Sequence, residues 1–182
     1  MEYRYAPKPQ NKNASLLVSS LAALALLSIV GSMTGYGPQS LWQSACLLFV
    51  SFSMFFWFRF FATKYLYTVT DAYGAPTLIV TSVQGKRIST LCRVELYRLL
   101  EIESIENAES EEGKAALARF RSTAAKYSYM ATLSPKSLQI LYGEEEGRPF
   151  AVRLEADGGF LAALREATEQ AKRQKQEEND DE

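Results

Sequence analysis

The 182-residue chain is long enough for a small membrane segment plus one soluble domain of roughly 100 to 120 residues. Its 20 Lys plus Arg against 21 Asp plus Glu leave a formal net charge of −1, so no basic excess marks a nucleic-acid partner. The absence of histidine removes the commonest general base and the commonest zinc ligand, and the two dispersed thiols, Cys46 and Cys92, read as reduced packing residues, so neither a metal nor a cofactor is expected.

Residues 1–14 are polar, carry Arg4, Lys8 and Lys12 and show no helical or strand period, which predicts a flexible cytoplasmic leader. Ser15 to Met33 is an uncharged run preceded by positive charge and predicts a first membrane span. A basic leader before an apolar core also has the outline of a secretory signal, but no clear Ala-x-Ala site follows and a second span comes at once. Thr34 to Gln39 is short and rich in turn formers, so it connects two antiparallel helices. The second span, Leu41 to Phe61, carries no charge before Arg59.

Trp42 and Trp57 stand near its two ends, where indoles prefer the headgroup boundary, and Arg59 and Lys64 follow at the exit. Basic residues flank both inner ends (Lys8, Lys12; Arg59, Lys64) and none sits in the outer loop. The positive-inside rule therefore predicts a multi-pass protein of the cell membrane with both termini cytoplasmic. Ser15, Ser19 and Ala23 in the first span, and Ser44 and Ser51 in the second, form small faces for packing within the hairpin or between copies.

After Ala62 the long apolar runs give way to short alternating segments cut by turn residues. Strands are predicted at Tyr65–Thr70, Thr77–Val83, Lys86–Leu91 and Leu99–Ile105, with Gln84-Gly85 as a short hairpin connection. A helix over Lys114–Ala124 interrupts the series. Its apolar face is Leu117, Phe120 and Ala124, and Arg119 and Arg121 lie on the rest. Three strands follow, Tyr127–Leu133, Leu138–Tyr142 and Arg148–Leu154. Asp157 then caps a helix whose stripe is Phe160, Leu161, Leu164, Ala167, Thr168 and Ala171. Residues 172–182 have nothing apolar to bury and predict a solvated charged tail.

Over residues 63–171 the order is thus four strands, a helical insertion, three strands and a closing amphipathic helix. With YLYTVTD, TLIVTSVQGKRISTLCRVELYRLLEIE and SPKSLQILYGEEEGRPFAVRLEADGGFLAALREA, this resembles bacterial pleckstrin-homology-like (PH-like) domains attached to membrane helices. The resemblance implies a mainly β barrel of seven strands, a four-stranded sheet over a three-stranded one, with the final helix plugging an open end. Phosphoinositide binders of that superfamily carry a basic cluster on the first two strands and their loop. Here the loop is DAYGAP, with an aspartate and no cation, so no phosphoinositide site carries over.

The candidate membrane-surface contacts are Arg59, Lys64, Lys86, Arg87, Arg119 and Arg121, which could meet anionic headgroups. No catalytic constellation appears. Glu144, Glu145 and Glu146 diverge on a turn, both phosphate-cradling glycine motifs are absent, and Ser134-Pro135-Lys136 has the wrong spacing for a serine–lysine pair. Neither span holds an ionisable residue before Arg59, so a transport path through these helices alone is not expected. The expectation is a non-catalytic, membrane-anchored binding or scaffolding protein, whose partners are the bilayer and another protein or its own copies. An accessory subunit of a transporter or envelope complex, and a membrane enzyme, are the alternatives.

Overall fold

The computed structural model describes residues 2–7, 12–35, 37–72, 74–132, 135 and 137–180. Lys8 of the inner basic flank, Ser134 and Lys136 of the rejected serine–lysine pair, Leu133 at the end of an expected strand, and the last two tail residues lie outside them. The chain forms two compact units, one helical and one α+β.

The helical unit contains α1 (Lys12–Thr34) and α2 (Gln39–Trp57), the latter continued by a π-helical turn, Phe58–Ala62. Both helices are long and apolar enough to cross a membrane, and most of their large side chains point outward, Leu16 being 73% and Leu47 70% exposed. The helices meet elsewhere than the small residues suggested. Ser15, Ser19, Ala23, Ser44 and Ser51 are exposed, whereas Ala14, Ala25 and Ser28 of α1 are buried. Ser28 donates its hydroxyl to the Leu24 carbonyl at 2.8 Å, which removes a polar group from the contact. Gly31 admits the Trp42 ring so closely that a Cβ there would come within 2.7 Å of it.

The α+β unit contains eight strands rather than seven. Sheet 1 is β1 (Glu2–Tyr5), β2 (Lys64–Thr70), β3 (Thr77–Gln84) and β4 (Arg87–Glu95), antiparallel in that order. The extra strand comes from the expected leader: Glu2-Tyr3-Arg4-Tyr5 alternates, and its tyrosines lie 5.9 and 5.3 Å from the Phe160 ring. β4 runs past Leu91 to Glu95 because an irregularity opposite Val80/Thr81 absorbs one residue and lets pairing continue. A 3₁₀ turn, Leu96–Arg98, then turns the chain into sheet 2.

Sheet 2 is β5 (Leu99–Ile105), β6 (Ala125–Tyr129), β7 (Leu138–Glu145) and β8 (Arg148–Leu154), in the order β5-β7-β8-β6. It has four strands where the resemblance implied three, and β6 runs parallel to β8. The reason is α3 (Glu111–Ser122) between β5 and β6: a helical crossover returns the chain to its starting end, so β6 enters in the direction of β5. Ser110 caps α3 by accepting from the Gly113 amide at 3.0 Å, and a Cβ on Gly113 would lie 2.2 Å from the Asn107 carbonyl. Its buried residues are Gly113, Ala116 and Phe120, so Ala116 takes the place the sequence assigned to Ala124.

α4 (Gly158–Asp180) starts where expected, with the Phe160 amide donating to Asp157 Oδ1 at 2.8 Å. Phe160, Leu164, Ala167, Thr168 and Ala171 are buried on one stripe. The helix continues into the charged tail as far as Asp180, with Lys175 and Glu178 paired at 2.7 Å. The main core joins both sheets to α4 through Tyr67, Leu78, Leu96, Leu141, Leu154 and Phe160, and a second cluster lies under α3 around Phe120, Ile140 and Tyr142.

Candidate functional site

Among the described residues β4 is one of the two edge strands of sheet 1 and β6 one of the two of sheet 2. Between them opens a cleft of about 590 Å³, lined by Leu91–Glu95 of β4, Tyr127 and Tyr129 of β6, and Arg98, Glu145 and Arg148 at one end. An edge strand offers a row of backbone donors and acceptors, so a seam between two edges can take an extended segment. Alternation on β6 puts Tyr127 and Tyr129 on one face, with parallel rings 6.4 Å apart.

Hydroxyls cross the seam at one point. Tyr129 donates to the Leu91 carbonyl at 3.4 Å, and the Tyr67 hydroxyl donates to the Tyr129 carbonyl. Burial pushes the Tyr67 and Tyr129 hydroxyls well above the ordinary tyrosine value. Burial also pushes the Cys92 thiol up, away from the nucleophilic thiolate. At the far end Arg98 bonds Glu95 and Glu145, each at 2.7 Å, and across the whole lining Arg93, Arg98 and Arg148 stand against Glu95, Glu145 and Glu146. The cleft therefore presents stacked aromatic surface, strand edges and balanced charge.

The cations singled out in the sequence fall into separate groups. Lys64, Lys86 and Arg87 come together at one end of sheet 1, because Lys64 pairs with Val83 and Gln84 with Arg87. Arg119 instead ties α3 to sheet 2, 2.7 Å from Glu101 and 4.1 Å over the Tyr142 ring, and Arg121 lies exposed on the same helix. Beneath them one Glu103 oxygen is buried with no hydrogen-bond partner among the described residues, and burial followed by the Glu103 charge pushes Tyr142 up to about 12. In the helical unit, Arg59 sits 5.4 Å over the Phe60 ring, Trp57 is half exposed, and Trp42 packs on Gly31.

Tyr127, Tyr129 and Arg98 were not singled out in the sequence as site residues. The alternating tyrosines of AKYSY were the available signal, but their role depends on β6 becoming an edge, which pattern alone does not specify. No family model, curated protein or solved structure compared with this chain matches it.

Proposed function

We propose that this chain is a non-catalytic, membrane-anchored binding or scaffolding protein. α1 and α2 span the cell membrane as a hairpin, and the α+β unit stands at the cytoplasmic surface and engages a protein partner through the β4/β6 seam. The observation that carries this reading is the pairing of an open, aromatic-lined edge cleft with two helices whose apolar side chains face outward. Water-facing leucines and phenylalanines in that number are costly, and a bilayer removes the cost.

The two ends of the hairpin lead into β1 and β2, which are neighbours with Tyr5 opposite Tyr67. Both ends must reach the same sheet, which supports an even number of crossings with both termini on one side. The basic flanks assign that side to the cytoplasm. The PH-like reading of the domain enters as analogy: two sheets and a closing helix favour it, and the parallel edge strand β6 departs from it.

A photo-cross-linking residue at Tyr127, which is 47% exposed in the cleft, tests the seam in living cells. A discrete protein adduct that the same probe at exposed Leu100 does not give is the expected result. Identical adduct patterns from both positions would remove the cleft from the interface.

A further inference from the structure

One end of sheet 1 has a composition unlike the other. Lys64, Val83 and Ile88 lie in one row across β2, β3 and β4, and the β3–β4 turn projects beyond it by one or two residues, about 3 to 7 Å. Lys64, Lys86 and Arg87 are exposed and make no ion pair among the described residues, and Ile88, the second residue of β4, is 70% exposed. The acidic residues of sheet 1 and its turns gather at the opposite end: Glu2 faces Thr70, Asp71 follows β2, and Glu95 faces Thr77. Arg4, opposite Thr68, and Arg93, opposite Ile79, also lie toward that end, and Arg4 pairs there with Glu2 and Arg98 with Glu95. Carboxylates and cations therefore mix at that end, whereas the β3–β4 turn end of sheet 1 carries cations alone among the described residues. The turn end is also where the chain arrives from the helical hairpin, since β2 starts one residue after Thr63.

We propose that this end of sheet 1 is a lipid-contact site, in which Ile88 enters the headgroup layer and Lys64, Lys86 and Arg87 take the phosphates of anionic lipids. The inference rests on the reading of α1 and α2 as membrane spans. A hairpin end with Lys86 in its turn and an exposed isoleucine next to Arg87 and in the row of Lys64 suits an interface, where apolar side chain and cationic groups find different layers within a few ångströms. A soluble phosphate would need a concave cradle of donors, which a projecting two-residue turn does not supply. The contact is independent of the DAYGAP turn, which lies at the opposite end. Arg119 is excluded from it by its own bonds to Glu101 and Tyr142.

The test uses the full chain with Cys46→Ser and Cys92→Ser, carrying a single environment-sensitive label through Ile88→Cys or, as control, through Ala72→Cys in the DAYGAP turn. The protein is reconstituted into phosphatidylcholine vesicles with or without phosphatidylglycerol, with brominated acyl chains as quenchers. The label at position 88 is expected to shift to the blue and to be quenched more strongly with phosphatidylglycerol. Lys86→Glu with Arg87→Glu should reverse both effects, and the label at position 72 should stay water-like. Hydrogen exchange of the 84–88 amides in the unmodified chain reads the same contact without labels. A position-88 label as water-like as position 72, or quenching indifferent to phosphatidylglycerol and to the charge reversal, overturns the site while flotation of the protein with the vesicles upholds the anchor. A chain that fails to float after alkaline carbonate washing overturns both.

Discussion

Tyr67 bridges the molecule at the scale of one residue. Fully buried in β2, it gives its hydroxyl proton to the Tyr129 carbonyl on β6 and receives the Glu155 amide at 3.5 Å. Tyr67→Phe keeps the ring and removes both bonds, so it should lower stability by about 1 to 2 kcal/mol in chemical denaturation, leaving the Tyr129 carbonyl short of a partner. A variant with wild-type stability would show that the bridge adds nothing. Tyr67, Tyr129 and Tyr142 also set an alkaline limit. Each is raised above the ordinary value of 10.0, chiefly by burial, so the fold gains from keeping them protonated. That gain is complete below pH 10 and is lost as the pH rises through the folded values, Tyr142 at about 12 among them. Tyrosinate absorbance should therefore rise in two stages above pH 10, the exposed rings first and the buried ones together with loss of far-ultraviolet circular dichroism. A single stage with the fold intact would contradict the burial argument.

At the scale of elements, α4 and β1 hold one another. Phe160 is fully buried beneath Tyr3, Tyr5 and Tyr67. Phe160→Asp should cost several kcal/mol and unfold the domain, because a carboxylate placed there has no partner, whereas Arg165→Asp on the exposed side of α4 should change the melting temperature little. Equal melting of the two variants would take α4 out of the core. Removing residues 2–6 should also destabilise the domain, since it bares the β2 edge and uncovers Phe160; unchanged denaturation would make β1 an accessory strand.

The legibility of these elements in the sequence follows their locality. Period and capping were sufficient for α4, because Asp157 and the Phe160–Ala171 stripe carry the same message within a few turns. The strands at Thr77 and Leu99 were legible through alternation. β1 was not, because four residues show too little period to stand out, and their partner lies across the whole helical hairpin. The parallel pairing of β6 was hidden for a similar reason: it depends on which end of sheet 2 the α3 crossover returns to. The cleft inherits that difficulty, since its lining is assembled from two edges whose exposure is a property of topology. The face of α1 that meets α2 is not legible, because small residues occur on more than one face of α1 and composition does not say which face meets its neighbour.

In the whole molecule, a hairpin that suits a bilayer is joined in sequence to a domain whose strands β1 and β2, on either side of that hairpin in the chain, are neighbours. The proposed topology requires that residues before α1 and residues after α2 share a compartment, and assigns that compartment to the cytoplasm. The measurement that tests this most directly is protease treatment of intact spheroplasts expressing the full chain with different epitope tags at its two ends. Both tags should survive outside protease and be lost together once the membrane is opened. Digestion of one tag alone in intact spheroplasts would contradict the pairing of β1 with β2, and digestion of both would contradict the cytoplasmic placement of the domain.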